Sequence, residues 1–205
     1  GKSTTIKLIL DMLQRDGGTV TILGRDNRTD LVHTKEEIGV VLGSDGIPLC
    51  LNAVEVGKVM AGIYRNWDAG DYTAFCRKFD LPPDKKYKDY SAGMQRKLCI
   101  AVALSHHAKL LLLDEHTAAL DPKTADKVLA LSDQIVQENN LTTLMITHNM
   151  KDAIAHGNRL IMMNAGKIVF DISGEEKKRL TVDDLLHAFT LSTAEEFAND
   201  RILLS

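Results

Sequence analysis

The sequence has few cysteines, no long apolar run and no marked excess of charge. Its three cysteines (Cys50, Cys76 and Cys99) are widely spaced without a CxxC pair, which argues against a disulfide framework and indicates reduced thiols in a cytosolic protein. The longest apolar run, Leu98 to Leu104, falls far short of the ~20 residues of a membrane-spanning helix, and no signal-peptide pattern is present. A net charge of −3 gives no electrostatic reason to expect nucleic acid or an anionic membrane as partner.

Apolar residues recur at helical spacing in some segments and as short β-branched runs in others. The pattern predicts helices over about 1–13 and 122–138, strands over 19–23, 38–42, 110–113 and 142–146, and a hairpin of 160–163 with 167–170. Thr181 and Asp184 resemble a capping box that opens a last short helix. Because strands alternate with helices at both ends of the chain, we expect an α/β fold with a mostly parallel sheet.

The middle of the chain is predicted to be helical throughout, so it interrupts the sheet as an inserted subdomain. One helix there is expected to turn Val56, Val59, Met60 and Ile63 inward, and another to run over 91–105. The resulting division is an α/β core over 1–46, a helical subdomain over 47–105, the second part of the core over 106–190, and a tail over 191–205.

The chain opens with the residues that end a phosphate-binding loop, GxxxxGK[ST]. In such a loop, backbone N–H groups and the start of the next helix hold the phosphates. Lys2 would reach the β- and γ-phosphates, Ser3 would ligate Mg²⁺, and Gly1 and Thr4 would complete the phosphate site. Taken alone, this short match is also compatible with an ordinary helix start.

A run of four leucines, Leu110 to Leu113, ends in two adjacent acids. Such a strand is predicted to be buried on both faces, and buried carboxylates are costly unless they meet a cation or water. In nucleotide hydrolases, the first acid (here Asp114) holds Mg²⁺ through water and the second (Glu115) polarises the attacking water. The alternative is an exposed acidic turn.

Two further patterns point to anion binding. Ser91-x-Gly93 before an apolar helix offers a hydroxyl and free N–H groups to an anion, although a plain N-cap explains it equally well. His148 follows the predicted buried strand 142–146 through Thr147, where α/β sheets place ligands. A histidine at such a position is often structural.

The order and spacing of these motifs resemble those of the ATP-binding subunits of ABC transporters over essentially the full chain. The matching residues, in order, are Lys2, Ser91, Asp114, Glu115, Asp121 and His148. The resemblance implies a P-loop NTPase fold with an inserted helical subdomain. It also implies that ATP and Mg²⁺ are the ligands of the site.

The same resemblance assigns a role to each motif. Residues 1–4 correspond to Walker A, and "YSAGM", with Ser91 and Gly93, corresponds to the signature motif. Asp114 corresponds to the Walker B aspartate that binds the metal, and Glu115 to the catalytic glutamate. Asp121 corresponds to the D-loop aspartate at the nucleotide, and His148 to the catalytic switch histidine.

Three features depart from the family pattern. The glutamine that contacts Mg²⁺ and senses the permease falls near Gly43, which cannot do that work, so Ser44 or Asp45 would have to substitute. His116 stands where the family has proline, and we interpret it as a turn variant. The segment expected before Gly1, with upstream strands and half of the phosphate loop, is absent from the sequence, which indicates an N-terminally truncated chain.

The two halves of the sequence resemble different branches of the family. Residues up to about 108, with "YSAGMQRKLCIAVALSHH", resemble export-type ATPases of the bacitracin and acetoin-operon kind. From Lys109 onward, "LLLLDEHTAALDPKTADKVL" and "NRLIMMNAGKIVFDISGEEKK" resemble ATPases of binding-protein-dependent importers for aromatic amino acids or similar small solutes. The transported solute and the direction of transport therefore stay open.

The resemblance implies an ATP-hydrolysing subunit that powers solute transport. We expect it to pair with a second ATP-binding subunit and with membrane permease subunits, with a solute-binding protein as a further candidate and no nucleic acid. Its expected location is cytoplasmic, at the inner face of the membrane. The alternative is a truncated or mosaic remnant that hydrolyses nothing. A small-molecule kinase is disfavoured because nothing in that class explains Ser91 and Gly93 together with His148.

Overall fold

The computed structural model describes residues 2–42, 46–118, 120–164 and 166–191. By its internal contacts, the chain divides into two compact units. The larger unit spans Ile6–Ile146, and the smaller combines the first five residues with the chain from Thr147 onward. The sequence-based division into an α/β core and a helical subdomain is a different partition and stays a prediction.

The larger unit contains a parallel sheet and the helices that pack on it. In chain order the elements are α1 (Lys2–Ile9, which begins in the smaller unit), β1 (Thr21–Ile22), β2 (Arg25–Asp26), α2 (Leu31–Glu36), β3 (Ile38–Val41), α3 (Ala53–Ala61), α4 (Ala69–Lys78), α5 (Ala92–Leu104), β4 (Leu110–Asp114), α6 (Pro122–Glu138) and β5 (Thr142–Ile146). The sheet order is β3-β4-β5, and both pairings are parallel. The predicted α/β class is confirmed.

The middle strand β4 is the most buried element of the sheet. Leu111, Leu112 and Leu113 are each at most 1% exposed, which confirms that this leucine run is a strand buried on both faces. The prediction that 142–146 is a buried strand is wrong, although its bounds are right. Leu144 is 37% exposed, because among the described residues β5 pairs only with β4.

The inward face of α3 is narrower than its apolar pattern predicts. Val56 is fully buried, but Val59 and Ile63 are 45% and 60% exposed, so their predicted inward orientation is wrong. The helix ends at Ala61, which takes Ile63 out of the helical repeat. At about 100° per residue, Val59 falls at the margin of the face that Ala53 and Val56 bury.

The first helix stops earlier than predicted because a distant side chain caps it. α1 ends at Ile9 rather than near 13. Buried Asn27 donates from Nδ2 to the carbonyl oxygens of Leu8 at 2.8 Å and Ile9 at 2.9 Å. Carbonyls at a helix end need partners from outside the helix. The Leu8 carbonyl also accepts from Asp11 N–H at 3.2 Å, and Asn27 adds a side-chain cap from a later turn of the chain.

The smaller unit consists of a β-hairpin and short helices. Its elements are α7 (Met150–Ala155), β6 (Arg159–Asn164), β7 (Lys167–Ser173), α8 (Gly174–Lys178) and α9, which is helical over 182–191. The predicted hairpin is confirmed, as is the capping box, in which Thr181 N–H donates to Asp184 Oδ2 at 2.8 Å and Asp184 N–H to Thr181 Oγ1 at 3.3 Å. The sequence pattern missed the helices α2, α7 and α8 and the two-residue strand β2.

Within the described ranges, every helix is either too short or too polar to cross a membrane.

His106 is a buried histidine that the sequence patterns did not single out. Its ring stacks on Tyr64 at 4.0 Å between centroids, and its Nδ1 donates to the Glu36 carbonyl oxygen at 3.0 Å. Its Nε2 is buried without a hydrogen-bond partner in the described part of the chain. Burial is the main cause that lowers the pKa of His106, with smaller opposing contributions from Glu36. The folded chain therefore favours the neutral ring.

We expect the free energy of unfolding to decrease as the pH falls below the ordinary histidine pKa of about 6.5. Because the folded-state pKa is lowered, the unfolded chain binds the proton more strongly, and the loss at pH 5.5, one unit below the unfolded pKa, is at most ~1.4 kcal/mol. Urea unfolding at pH 7.5 and 5.5 measures the difference. In His106→Phe, which keeps the stack on Tyr64, the decrease should shrink, whereas in the His107→Asn control it should persist. An undiminished decrease in His106→Phe would show that another group is responsible.

Candidate functional site

The structure brings Lys2 and His148 into direct contact within the smaller unit. These residues lie 146 positions apart in sequence, and Lys2 Nζ is 2.9 Å from His148 Nδ1. The same ammonium group donates to the Thr147 carbonyl oxygen at 3.4 Å. Since an ammonium group can only donate, Nδ1 accepts and the ring proton lies on Nε2. Two groups that sequence patterns assigned to phosphate binding therefore meet, with Nε2–H as a donor.

A cavity of about 250 Å³ adjoins this contact in the same unit. Its polar lining residues are Lys2, Thr147, His148 and Asn149. The apolar lining consists of Met150, Ala153, Leu160, Ile161, Met162, Met163, Leu185 and Phe189. The positive charge lies at one wall only, so an anionic group would be bound there.

The start of α1 provides backbone donors beside Lys2. Ser3 is half-buried and Thr4 is exposed in the first turn, and the first turn contains no acidic residue. The N–H groups and the dipole of a helix start favour an anion, and no carboxylate of α1 competes for that position. Gly1 lies outside the described residues.

Asp114 and Glu115 lie at the carboxyl end of β4 in the larger unit. Asp114, the last residue of the strand, is 9% exposed, and Glu115 is half-buried. The backbone of Glu115 is left-handed, with φ 49°. It is held there by hydrogen bonds from its N–H to the Ile146 carbonyl at 3.1 Å and from Ala118 N–H to its own carbonyl at 3.0 Å.

Left-handed backbone costs of order 1–3 kcal/mol for a residue other than glycine, and such strain concentrates at functional sites. At Glu115 the surrounding sheet enforces this conformation. The neighbouring His116 is only 1% exposed. That burial favours its interpretation as part of the turn rather than as a second base.

Ser91 is the N-cap of α5. The capping role that the sequence left open for this residue is therefore observed. Its Oγ accepts a hydrogen bond from Met94 N–H at 3.3 Å, and the side chain is exposed. Acceptance uses an oxygen lone pair and leaves the hydroxyl hydrogen available to donate. Capping and phosphate binding are therefore compatible at Ser91.

Gly93 is required where α5 meets α6. A Cβ atom at this position would lie 2.5 Å from Cγ2 of Thr124, closer than atoms can pack without a shift. Sequence reasoning missed Thr124 as the partner of Gly93. The sequence signal nearest to Thr124 was the Asp121-Pro122 pair, which predicts a helix that starts three residues before Thr124.

Asp121 is the N-cap of α6. Its carboxylate accepts from Thr124 N–H at 3.1 Å, and hydrogen bonds from Thr124 lower the pKa of Asp121. The side chain is exposed and stays ionised at neutral pH. The region where the family's glutamine was expected, 43–45, lies outside the described residues, as does Ala119 beside the D-loop.

Comparison with known proteins identifies the family and supports the α/β fold. The family model described as ABC transporter matches residues 1–118. The tyrosine transport ATP-binding protein of Clostridioides difficile is 34% identical over 92% of this chain and 81% of its own length. The aliphatic sulfonates import ATP-binding protein SsuB 2 of Agrobacterium fabrum is 32% identical over 100% of this chain and 76% of its length.

Among solved structures, the ATP-binding cassette MJ0796, described as a dimer in a post-hydrolysis state with ADP and Pi, superposes with a TM-score of 0.70. The two sequences are 27% identical, and the match covers 84% of this chain and 80% of the MJ0796 chain. The fold is that of a P-loop ATPase. The chain belongs to the ABC transporter family, as an ATP-binding and ATP-hydrolysing subunit that powers transport.

The contact at Gly93 predicts a compensating pair of substitutions. Gly93→Ala should lower the free energy of unfolding by about 1 kcal/mol, because overpacking costs ~1–3 kcal/mol and the gain in helix propensity returns ~1 kcal/mol. Thr124→Ser removes the clashing methyl group and should restore stability in the double variant, measured by urea unfolding.

ATPase activity of the same double variant separates packing from ligand binding at Gly93. We expect it to stay low after stability returns, because the resemblance assigns Gly93 to the signature motif, and alanine restricts the backbone that would meet the nucleotide. Activity that recovers together with stability would assign Gly93 to helix packing alone. Thr124→Ser by itself serves as the control.

Proposed function

We propose that the predicted residues form the nucleotide site of this subunit. Gly1, Lys2, Ser3 and Thr4 would bind the phosphates of ATP at the start of α1. The observation that supports this most strongly is the contact of Lys2 Nζ with His148 Nδ1 at 2.9 Å. Both groups are suited to the γ-phosphate, and the fold brings them together from positions 146 residues apart.

Glu115 is proposed as the general base of hydrolysis. Its carboxylate accepts a proton from water as the water oxygen bonds to the γ-phosphorus, and the bond from that phosphorus to the β–γ bridging oxygen breaks. ADP leaves with the electron pair of that bond, and inorganic phosphate forms. Lys2 and the Nε2–H of His148 would stabilise the charge on the transferring group by electrostatics and positioning.

Ser3 and Asp114 are proposed to hold Mg²⁺. A hydroxyl and a carboxylate are the hard oxygen ligands that this ion prefers, and the strongly buried carboxylate of Asp114 favours a cation nearby. The ion neutralises phosphate charge when it is bound. The family's metal-contacting glutamine is replaced at Gly43, and Ser44 or Asp45 remains our hypothesis for its substitute.

Two copies of the subunit are proposed to bind ATP between them. Ser91 and Gly93 would contact the nucleotide held by Walker A of the partner, and Asp121 would support the same face. The description of a solved relative as a dimer with ADP and Pi supports this arrangement. ATP would close the dimer and hydrolysis would reopen it.

The subunit is proposed to act at the inner face of the cell membrane through permease subunits. Relatives named for tyrosine transport and for aliphatic sulfonate import favour import of a small solute, and hence a solute-binding protein as a further partner. The export-type resemblance of residues up to about 108 stays a hypothesis. The tyrosine-transport relative aligns with 92% of the chain, so one importer branch can account for both halves.

Glu115→Gln should abolish ATP turnover while nucleotide binding is preserved. The amide keeps the size of the side chain but cannot accept the proton, and loss of a general base typically costs ~10²–10⁴-fold in rate. Phosphate release and binding of a fluorescent ATP analogue measure the two properties, and Glu138→Gln on α6 is the control. Hydrolysis at the parental rate would remove Glu115 from the role of base.

Ser91→Asp should block ATP-dependent dimerisation without lowering stability. Aspartate caps a helix as well as serine does, but its charge would repel the partner's γ-phosphate. In the Glu115→Gln background, gel filtration with Mg-ATP should show dimers for the parent and for the cap-preserving, uncharged Ser91→Asn control, and monomers for Ser91→Asp. Dimers in Ser91→Asp would contradict the assignment of the signature.

A further inference from the structure

Arg96 is a buried cation on α5 that the nucleotide chemistry does not use. It is 7% exposed and lies five residues after Ser91, on the helix that the signature serine caps. Burying a guanidinium group is unfavourable unless hydrogen bonds compensate it. Its Nη1 donates to the Leu42 carbonyl oxygen at 2.9 Å, just past the end of β3.

A second close contact joins the same two elements. Gly39 on β3 lies so close to α5 that a Cβ atom there would be 2.4 Å from the Ala103 carbonyl oxygen. The order of the two contacts, Ala103 at Gly39 and Arg96 at Leu42, means that α5 runs antiparallel to β3. Backbone packing fixes one end of the helix on the strand, and Arg96 fixes the other.

The spacing of the two contacts matches along both elements. Seven residues of helix from Arg96 to Ala103 span about 10.5 Å, and three residues of strand from Gly39 to Leu42 span about 10 Å. With two contacts at equal spacing, α5 cannot pivot about the Gly39 contact without breaking the hydrogen bond of Arg96. That bond is therefore one of the contacts that orient α5, and Ser91 at its start, on the sheet.

The acceptor of Arg96 lies beside the acidic end of the sheet. Val41, the residue before Leu42, is in register with Leu113 of β4, and Leu113 directly precedes Asp114. Arg96 therefore links the helix that begins at Ser91 to the sheet edge that carries the proposed metal ligand and base.

We propose that Arg96 is a positioning residue that holds the signature segment at a fixed place relative to this edge, so that Ser91 meets the partner's nucleotide when the dimer closes. The proposal rests on the proposed function, because it needs the signature to bind nucleotide across a dimer. It assigns Arg96 no contact with ATP. Loss of Arg96 should therefore weaken dimer closure and leave nucleotide binding by the subunit's own Walker A unchanged.

Arg96→Met in the Glu115→Gln background tests this. It keeps a long apolar stem and removes the donor. Dimerisation with Mg-ATP, measured by sedimentation, should weaken about tenfold. This corresponds to ~1.4 kcal/mol, close to the lower end of the ~1.5–3 kcal/mol of a hydrogen bond to a charged group. Binding of a fluorescent ATP analogue to the monomer should stay within about twofold of the parent, well under 1 kcal/mol.

Lys97→Met is the matched control, because Lys97 is the next residue of α5 and donates to the Phe79 carbonyl at 3.3 Å rather than to the sheet. It should dimerise like the parent even where its thermal midpoint falls as much as that of Arg96→Met. Arg96→Lys, which can still donate to Leu42, should recover most of the dimerisation.

Three results would overturn the proposal. Unchanged dimerisation in Arg96→Met would overturn the role of Arg96. If Ser91→Asp still blocks dimers in the same assay, the proposed function is unaffected by that result. Equal weakening in Lys97→Met would reduce Arg96 to general helix stability. Absence of dimers in the Glu115→Gln parent would remove the proposed dimer and the role of Arg96 with it.

Discussion

Burial of β4 between two neighbouring strands is the constraint on which the larger unit depends. Leu111 and Leu113 point into the core that the helices α3 to α6 share, whereas Leu112 points into the separate core around α1. Burying each leucine contributes about 1.5–3 kcal/mol, and one strand thereby joins both cores. Any residue that follows this strand is placed with little freedom, which is the condition for a catalytic group to be held in position.

The same constraint explains why the unfavourable features of the site persist. Asp114 keeps a carboxylate where only 9% of the residue is exposed, and Glu115 adopts left-handed backbone. Strain of order 1–3 kcal/mol is tolerated only when the surrounding structure over-determines the conformation. Here the in-register pairing of Asp114 with Ile146 and the hydrogen bond from Glu115 to Ile146 do so. The burial and pairing of β4 thus hold Asp114 and Glu115 in these unfavourable conformations.

The features that sequence reasoning predicted correctly depend on neighbours along the chain. The bounds of α6 and β5 follow from local apolar runs and from the Asp121-Pro122 start, and the capping box at Thr181 involves residues three apart. The failures depend on distant partners. The end of α1 is set by Asn27, and the exposure of Leu144 depends on which strand lies beside β5. No local pattern encodes such contacts, and the link from Arg96 to Leu42, 54 residues apart, belongs to the same class.

Ser91 and Asp121 show how a shared structural role can conceal different chemistry. Both cap helices, and the two helices meet where Gly93 lies against Thr124. Ser91 accepts the capping bond and keeps a hydroxyl hydrogen, so it can donate to a phosphate oxygen. Asp121 has no hydrogen to donate, and its lowered pKa keeps it negative, so direct contact with a phosphate would be repulsive. What the structure shows for Asp121 is its capping role, because it fixes the start of α6 and hence the position of Thr124 against Gly93.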